Sequence, residues 1–346
     1  MLRVRPLLGL LALLASCDPS VDPRATWLQT TLVLDNQVFL DTDPQQGQAK
    51  FARMSLGLYP YFRGTLGQYG RDLGEGGGAG RFATDFVTAQ TADVALIGDP
   101  HVENIGSFLR ADGELVIGFN DFDAATYGPY LFDLRRLALG FHIAAVELEL
   151  AEPARHAEAA ATGYVAEILA LAAGAPRSST GEGKVLANLL KKAAEDGEAR
   201  EELTDYTRVV AGVREMFFGE VEPALTWEMS THAMQLATDQ LLPVTASEAE
   251  QIAHLLTRWP ATLIDTAAMS PGTDRLKGVG RRLGAGVASY AAPRYYALLE
   301  GPTKDQGDDL LIEIKRVYDG AVMPGLSRLP SRPFADNGTR VVALQR

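Results

Sequence analysis

The stretch of residues 94–138, VALIGDPHVENIGSFLRADGELVIGFNDFDAATYGPYLFDLRRLA, decides how this chain folds. Residues 94–97 form a short apolar run and predict a buried strand. The runs Ile105–Leu109 and Leu115–Phe119 predict two antiparallel strands that turn at Asp112-Gly113. An Asp-Gly pair between two apolar runs is a strong hairpin signal. A strand followed by a hairpin is therefore the expected centre of the fold.

A helix is predicted to follow the hairpin. Pro129 favours a helix start, because its fixed φ suits the first turn and its missing N–H has no partner there. Apolar side chains then recur at helical spacing, at Leu131, Leu134, Leu137, Ala138 and Phe141. This stripe is expected to be the buried face of the helix.

Polar side chains come directly after these strands. Asp99, His101 and Asn104 follow the first strand, and Asp121 and Asp123 follow the hairpin. Because the ends of neighbouring strands lie side by side, these side chains are expected to converge. Three carboxylates and an amide would repel one another without a counter-ion, and such an oxygen-rich set suits Mg²⁺, which in turn holds phosphate oxygens. We therefore predict a Mg²⁺ site here, with Asn104, Asp121 and Asp123 as its ligands.

Several of these residues also have a structural interpretation. Asp99 and Asn104 could cap a turn, since Asx side chains bond to nearby backbone groups. His101 could brace its loop, and Asp123 could cap one. Asp133 is expected to be a structural support that hydrogen-bonds to the loop of Asp99 from the start of the helix.

Composition is that of a folded protein with an acidic surface. The chain has 346 residues, 47% of them hydrophobic, and its 32 basic and 44 acidic side chains give a net charge of −12. At roughly 150 residues per domain, this length allows two domains or one domain with two lobes. A general nucleic-acid binder needs a basic footprint, so nucleic acid is not an expected partner.

The first residues resemble a secretion signal. Arg3 and Arg5 precede an apolar run at residues 7–15, which is shorter than the ~20 residues that a membrane span needs. The pattern resembles a bacterial lipoprotein signal peptide over residues 1–16, in which Cys17 is acylated and anchors the protein to a lipid bilayer. An ordinary cleaved signal followed by a chance cysteine is the alternative. Either interpretation predicts export, and the first predicts a membrane-anchored lipoprotein facing the periplasm or the cell exterior.

The rest of the chain is predicted to be α+β, with a helix-rich part before a small β-rich part. Residues 17–44 are expected to form a tether and a short N-terminal segment, and residues 45–59 a helix ending near Pro60. Residues 153–268 are predicted to be mostly helical. From about Leu276 the apolar period changes, and strands are predicted at residues 295–299 and 310–314. The expected division is a helix-rich lobe at residues 45–270 and a β-rich segment at residues 271–346.

The motifs resemble the C-lobe of the protein-kinase and aminoglycoside/choline-kinase superfamily. That family has a strand, Asp-x-x-x-x-Asn, a two-strand hairpin and then Asp-Phe. Asp99 and Asn104 have the first spacing, and Asp121-Phe122 takes the place of the metal-binding Asp-Phe. His101 takes the place of the second His of the small-molecule kinase loop, and Phe132-Asp133-Leu134 resembles the segment that follows in choline kinases. The resemblance implies that Asp99 and His101 are catalytic residues.

A closer resemblance is to the bacterial domain-of-unknown-function 2252 family. Its motifs match Arg53-Met54, Phe62-Arg63-Gly64, residues 98–106, residues 120–123 and residues 133–138. The resemblance runs from about residue 50 to the end of the sequence and is strongest over residues 98–138.

The last part resembles the nucleotide-binding N-lobe of a kinase. A Gly-rich turn with Gly278 and Gly280 precedes a strand, and Lys315 lies on the strand after it. In kinases these parts come before the catalytic loop, so the lobes would be permuted in sequence here. The resemblance implies that Gly278, Gly280 and Lys315 bind nucleotide phosphates, although Lys315 could be a solvated strand lysine. Arg63 could bind a substrate anion or pair with Asp85.

These resemblances predict a Mg²⁺-dependent phosphotransferase that uses ATP or another nucleotide, with an acceptor that the sequence does not identify. ATP is scarce outside the cytoplasm, so the predicted export leaves two alternatives. One is an exported lipoprotein that binds a metal or a phosphorylated ligand in a kinase-like cleft without catalysis. The other is a metal-dependent phosphoester hydrolase. Only the phosphotransferase needs Lys315 to face Asp121.

Overall fold

The computed structural model describes residues 22–74, 85–110, 112–177, 183–195, 198–220, 224–228, 233–237, 240–263, 275–284, 286–318 and 334–345. The predicted signal peptide and Cys17 lie outside these residues. The fold is α+β, as the sequence predicts. Its helices are α1 Pro23–Asp35, α2 Gln37–Thr42, α3 Pro44–Met54, α4 Leu58–Gly64, α5 Leu66–Gly74, α6 Tyr130–Glu147, α7 Pro153–Ala172, α8 Lys184–Glu195, α9 Glu198–Asp205, α10 Ala246–Arg258 and α11 Asn337–Gln345. Its strands are β1 Val94–Leu96, β2 Ile105–Leu109, β3 Leu115–Phe119, β4 Thr126–Gly128, β5 Thr207–Val210, β6 Val213–Met216, β7 Gly219–Glu220, β8 Ala224–Glu228, β9 Ala233–Ala237, β10 Gln240–Pro243, β11 Leu276–Leu283, β12 Arg294–Leu299 and β13 Leu310–Lys315.

Two packed helices stand where the sequence predicts a tether. The Asp22 carboxylate accepts a hydrogen bond from the Arg24 backbone N–H at 2.8 Å and so caps α1. Asp35 at the end of α1 pairs with Arg71 of α5, with an N–O distance of 2.6 Å. Phe39 of α2 is buried against Ala291 and its neighbour Ala292. The segment for which the sequence predicts a tether and one short element thus contains two packed helices among its described residues.

The helix predicted at residues 45–59 is two helices, α3 and α4. The Glu147 carboxylate, at the end of α6, accepts hydrogen bonds from the first two backbone N–H groups of α4, at 2.9 Å from Leu58 N and 3.2 Å from Tyr59 N. This distant residue therefore caps a helix that the local pattern does not reveal. Pro60 lies in the first turn of α4, where a proline costs no helical hydrogen bond. The predicted helix end near Pro60 is wrong.

The hairpin β2–β3 and the helix α6 occur where the sequence predicts them. The buried face of α6 differs from the prediction, because only Leu131 of the predicted stripe is fully buried. Four other buried residues are spaced four apart along one side of the helix: Phe132, Arg136, Gly140 and Ala144. Gly140 permits this packing, since a Cβ there would lie 3.2 Å from the Phe62 ring. This face is narrow and includes an arginine. A prediction based on apolar side chains alone therefore does not identify it.

The predicted helical region includes six strands, β5 to β10, so that prediction is wrong over residues 207–243. The hairpin β5–β6 turns at Ala211 and Gly212, which have positive φ values of 50° and 80°. Two successive residues with positive φ give a turn whose twist matches that of the flanking strands. The β-branched residues of both strands carry the missed signal.

The largest sheet has the strand order β13-β12-β11-β10-β7, and its registered pairs are antiparallel. The predicted strands near residues 295 and 310 are confirmed as β12 and β13. The sheet takes strands from both sides of the boundary predicted at residue 270. Gly278 and Gly280 lie inside β11, so the predicted Gly-rich turn is wrong. A Cβ at either glycine would lie 2.7 Å from the Cγ atom of Met216 or Leu241, whose side chains pack over the strand.

The fold offers no transmembrane segment among the residues described. None of their helices is both long enough and apolar enough to cross a bilayer.

Candidate functional site

Gly98 brings the two polar loops together. Its φ is +84°, and a Cβ there would overlap the Ala124 carbonyl group, 2.6 Å from its carbon. The loop after β1 therefore packs directly on the loop after β3. A backbone hydrogen bond of 3.0 Å from Asn120 N to Asn104 O joins the loops a second time. The structure thus brings together the two loops that the sequence predicts to converge.

Asp99 is buried in an ion pair with Arg136, the arginine on the buried face of α6. The distance from Arg136 Nε to Asp99 Oδ1 is 2.5 Å. Arg136 is fully buried, donates a further hydrogen bond of 3.1 Å to the Phe62 carbonyl oxygen, and lies 4.2 Å above the Phe62 ring. Arg136 therefore fixes the orientation of the Asp99 carboxylate. Sequence reasoning gave Arg136 no role, although it belongs to the motif at residues 133–138.

His101 lies in the interior of its loop, only 2% exposed. Burial, with the neighbouring charges of Arg63 and Arg136, lowers the pKa of His101 to about 3. The imidazole is therefore neutral at physiological pH and a weak base. Its ring meets the Tyr59 ring edge to face, with the centroids 6.4 Å apart. This environment favours the loop-bracing interpretation of His101.

Asn104 and Asp121 both make hydrogen bonds within or between the loops. The Asn104 side-chain amide is buried and donates to the Asp99 carbonyl oxygen at 3.1 Å. Asp121 Oδ1 accepts a hydrogen bond of 3.0 Å from the Asp123 backbone N–H. Both contacts are of the turn-stabilising kind, and they hold the Asp99 and Asp121 segments in fixed conformations.

Lys315 reaches the second loop from the end of β13. Its Nζ atom lies 2.6 Å from Asp123 Oδ2. Burial and the neighbouring Asp121 raise the pKa of the Asp123 carboxyl group, and Lys315 and Arg294 oppose this shift. Arg294 is the register partner of Lys315 on β12. The sheet therefore places Lys315 against the Asp121-Phe122-Asp123 loop. Arg294 pairs with Glu313 at an N–O distance of 3.1 Å and lies close enough to Asp123 to affect its pKa, and sequence reasoning gave Arg294 no role.

Arg340 of α11 holds the same loop from another side. It is buried and donates hydrogen bonds to the carbonyl oxygens of Ala125 and, at 2.9 Å, Asp123. A further hydrogen bond of 3.2 Å goes to the Tyr318 carbonyl oxygen. Arg340 is a second residue that sequence reasoning missed, because its partners lie far away in the chain.

Asp133 makes the contact that its predicted supporting role requires. Its carboxylate accepts hydrogen bonds from Ile97 N at 2.6 Å and Gly98 N at 3.1 Å. Burial raises the pKa of Asp133 to about 7, although both hydrogen bonds act in the opposite direction. The start of α6 therefore holds the backbone just before Asp99.

Arg63 pairs with Glu103 of the loop after β1 rather than with Asp85. Arg63 is thus next to the site, on the side of His101 and α4. Gly278 and Gly280 are not brought to the loops in a turn, since both lie within β11 and are covered by side chains. Their assignment to phosphate binding gains no support from this packing.

The oxygen ligands predicted for Mg²⁺ are one amide, Asn104, and two carboxylates, Asp121 and Asp123. Their loops are in contact, and the set has the hard-oxygen chemistry that Mg²⁺ prefers. Within the described ranges, no group of three or more His, Cys, Asp or Glu side chains is placed to hold a metal ion. Their chemistry would suit a cation that takes only some of its ligands from the protein, with water and phosphate oxygens as the others. Mg²⁺ commonly binds in this way.

A protein family model described as "Uncharacterized protein conserved in bacteria (DUF2252)" matches residues 42–346. The chain belongs to this family. The match includes both polar loops, the sheet with Lys315 and the helix with Arg340, so the family prediction made from the motifs is confirmed. No curated protein and no solved structure matches the chain.

Proposed function

We propose that this member of the DUF2252 family is a Mg²⁺-dependent phosphotransferase with a kinase-like, two-lobed architecture whose lobes are permuted in sequence. The contact between Lys315 and Asp123 is the observation that carries the proposal. In kinases, a strand lysine and the carboxylate of the Asp-Phe motif both act on the nucleotide phosphates. Here Lys315 pairs with Asp123, two residues after Asp121 of that motif, and so reaches the predicted metal-binding loop. We further propose that acylated Cys17 anchors the protein outside the cytoplasm.

The proposed roles follow from the contacts. Lys315 and Arg294 bind nucleotide phosphates, because both cations lie near Asp123 at the end of the sheet. Asn104, Asp121 and Asp123 supply oxygen ligands to Mg²⁺, which neutralises charge on the phosphates. Asp99 accepts a hydrogen bond from the acceptor hydroxyl group and orients it. Positioning and charge neutralisation supply most of the rate enhancement in phosphoryl transfer.

Calorimetric titration of ATP, with and without Mg²⁺, tests this proposal. Wild-type protein should bind ATP only when Mg²⁺ is present. Lys315→Met and Asp121→Asn should each weaken binding at least tenfold, a loss typical of one charge-assisted contact. Lys191→Met is the matched control, since Lys191 of α8 is exposed and far along the chain from the loops. Binding that Lys315→Met leaves unchanged would contradict the proposal, as would no binding at millimolar ATP.

A binding protein without catalysis is the second candidate, and the Asp99–Arg136 pair favours it. The Asp99 Oδ1 atom already binds the fully buried Arg136 guanidinium at 2.5 Å, which leaves one carboxylate oxygen fewer to receive an acceptor hydroxyl group. This candidate predicts Mg²⁺-dependent ligand binding without release of ADP. Formation of ADP that Asp99→Ala abolishes would reject it and support the phosphotransferase.

A further inference from the structure

Four side chains near Asp99, three of them buried and one partly exposed, carry buried polar groups that lack hydrogen-bond partners. They form what we call the donor cluster, which consists of Tyr59, Arg63, His101 and Arg136. Within the described part of the chain, no hydrogen-bond partner contacts Arg63 Nε, His101 Nδ1 or Arg136 Nη1. The Tyr59 oxygen has the Glu103 backbone N–H as its neighbouring donor, but its own O–H has no acceptor. Tyr59 and His101 are 2% exposed and Arg136 is 0% exposed. A buried polar group with an unsatisfied hydrogen bond costs free energy, so four of them in one place require an explanation.

The four residues are neighbours, although they come from three parts of the chain. Tyr59 and Arg63 lie one turn apart on α4, and the Tyr59 ring meets the His101 ring edge to face. Both arginines lie close enough to His101 to lower its pKa. Arg136 approaches α4 from α6 through its hydrogen bond to the Phe62 carbonyl oxygen.

The acidic groups of this region are already engaged. Asp99 is bound to Nε of Arg136, and Glu103 is bound to one terminal nitrogen of Arg63. The other guanidinium nitrogens named above remain, and guanidinium and phenol N–H and O–H groups are donors. The region thus has more buried donors than acceptors, in a chain whose net charge is −12.

Lys50 of α3 adds a further buried cation. It is 4% exposed, and burial lowers its pKa to about 8, while Asp35 and Asp99 oppose this shift. Arg63 and Glu103 are the partly exposed residues of the region, with 21% and 32% of their side chains accessible. A ligand would therefore reach the donor cluster from the side of Arg63 and Glu103.

We propose that the donor cluster binds an oxyanion, a phosphate or carboxylate group carried by the acceptor substrate. The assignment to the acceptor rests on the proposed phosphotransferase function, because the cluster adjoins Asp99 whereas the nucleotide phosphates are assigned to Lys315 and Arg294. Arginine and tyrosine donors suit an oxyanion, since charge-assisted hydrogen bonds to phosphate and carboxylate are among the strongest in proteins. The acceptor is then an anionic small molecule with a hydroxyl group.

Calorimetric titration of inorganic phosphate into the full chain, without nucleotide or Mg²⁺ and at constant ionic strength, tests this inference. A parallel titration uses acetate, so that preference for phosphate or carboxylate is read directly. Tyr59→Phe should weaken binding about tenfold, since it removes one donor and keeps the ring. Glu103→Gln should tighten binding, because it frees Arg63 from a competing carboxylate. Tyr164→Phe is the control, since Tyr164 of α7 stacks on Tyr130 and is not in the donor cluster.

Two results would overturn the inference. One is no binding of either anion at tens of millimolar, and the other is equal binding by wild type and Tyr59→Phe. Lys315→Met separates this test from that of the proposed function, because phosphate bound at the donor cluster is insensitive to Lys315. If the protein binds phosphate but not Mg²⁺·ATP, the donor cluster is an anion site and the proposed nucleotide site is wrong. If the protein binds Mg²⁺·ATP but neither phosphate nor acetate, the nucleotide site is supported and the donor cluster is not an anion site.

Discussion

Gly98→Ala tests whether the close approach of the two loops depends on the absence of a side chain. Gly98 and Gly113 have the same φ of +84°, but their surroundings differ. A Cβ at Gly98 would overlap the Ala124 carbonyl group, whereas a Cβ at Gly113 would have nothing within 4 Å. Gly113→Ala therefore measures the backbone strain alone, and Gly98→Ala measures the strain together with the clash.

The expected magnitudes follow from these two terms. An alanine with left-handed backbone costs about 1–2 kcal/mol, and this cost applies to both variants. Overpacking adds roughly 1–3 kcal/mol at Gly98, because the Ala124 carbonyl belongs to backbone and cannot swing aside as a side chain does. Gly98→Ala should thus lower the free energy of unfolding by about 2–5 kcal/mol, against about 1–2 kcal/mol for Gly113→Ala.

Urea unfolding followed by tryptophan fluorescence gives both free energies. Calorimetric titration of Mg²⁺·ATP then gives the effect of each substitution on nucleotide affinity. The Gly98 variant should be affected because displaced loops would separate Asp99 from Asp121. Gly98→Ala should lose binding and Gly113→Ala should keep it. If the two variants lose the same stability, the close contact between Gly98 and Ala124 does not hold the loops together and our reasoning is wrong.

Three further predictions concern the residues that support the site. Arg136→Met should lower the free energy of unfolding, measured by chemical denaturation, by about 3–5 kcal/mol, because Asp99 is left buried and unpaired. Arg110→Met is the control: it breaks only exposed ion pairs and should lower that free energy by less than about 1 kcal/mol. The Asp133 pKa lies above the unfolded value in the folded state, so its contribution to stability is fully present below about pH 4 and is lost as the pH rises to about 7. Asp133→Asn should remove that fall from a series of urea titrations, and a fall of the same size in the variant would assign it to other groups. Glu147→Gln should lower stability by about 1 kcal/mol, since a weaker acceptor then caps α4, and a melting temperature equal to that of the wild type would show that this cap is dispensable.

Features that depend on neighbouring residues in the sequence could be predicted. The hairpin at Asp112-Gly113 and the helix after Pro129 are confirmed, because turn chemistry and the fixed φ of proline act locally. The convergence of the Asp99 and Asp121 loops also followed from the order of strands. The close packing of Gly98 on Ala124 did not, since it requires knowledge of the backbone path.

Features that depend on distant partners were missed. Arg136 looks like an ordinary solvent-facing helix arginine until its partner, 37 residues earlier in the chain, is known. The glycines of β11 were assigned to a turn by resemblance, although their small size serves to admit Met216 and Leu241. Glycine has both uses, and the sequence alone does not separate a bend from a close packing contact.

The hydrogen bond from Arg340 to the Ala125 carbonyl oxygen spans 215 residues of sequence. During synthesis, the loop of Asp121 and Asp123 is made long before α11 leaves the ribosome. The loop therefore cannot receive this support until the chain has been translated past residue 340. We expect this loop to take its final shape late, because contacts between distant segments form slowly. A nascent chain would then lack the finished site.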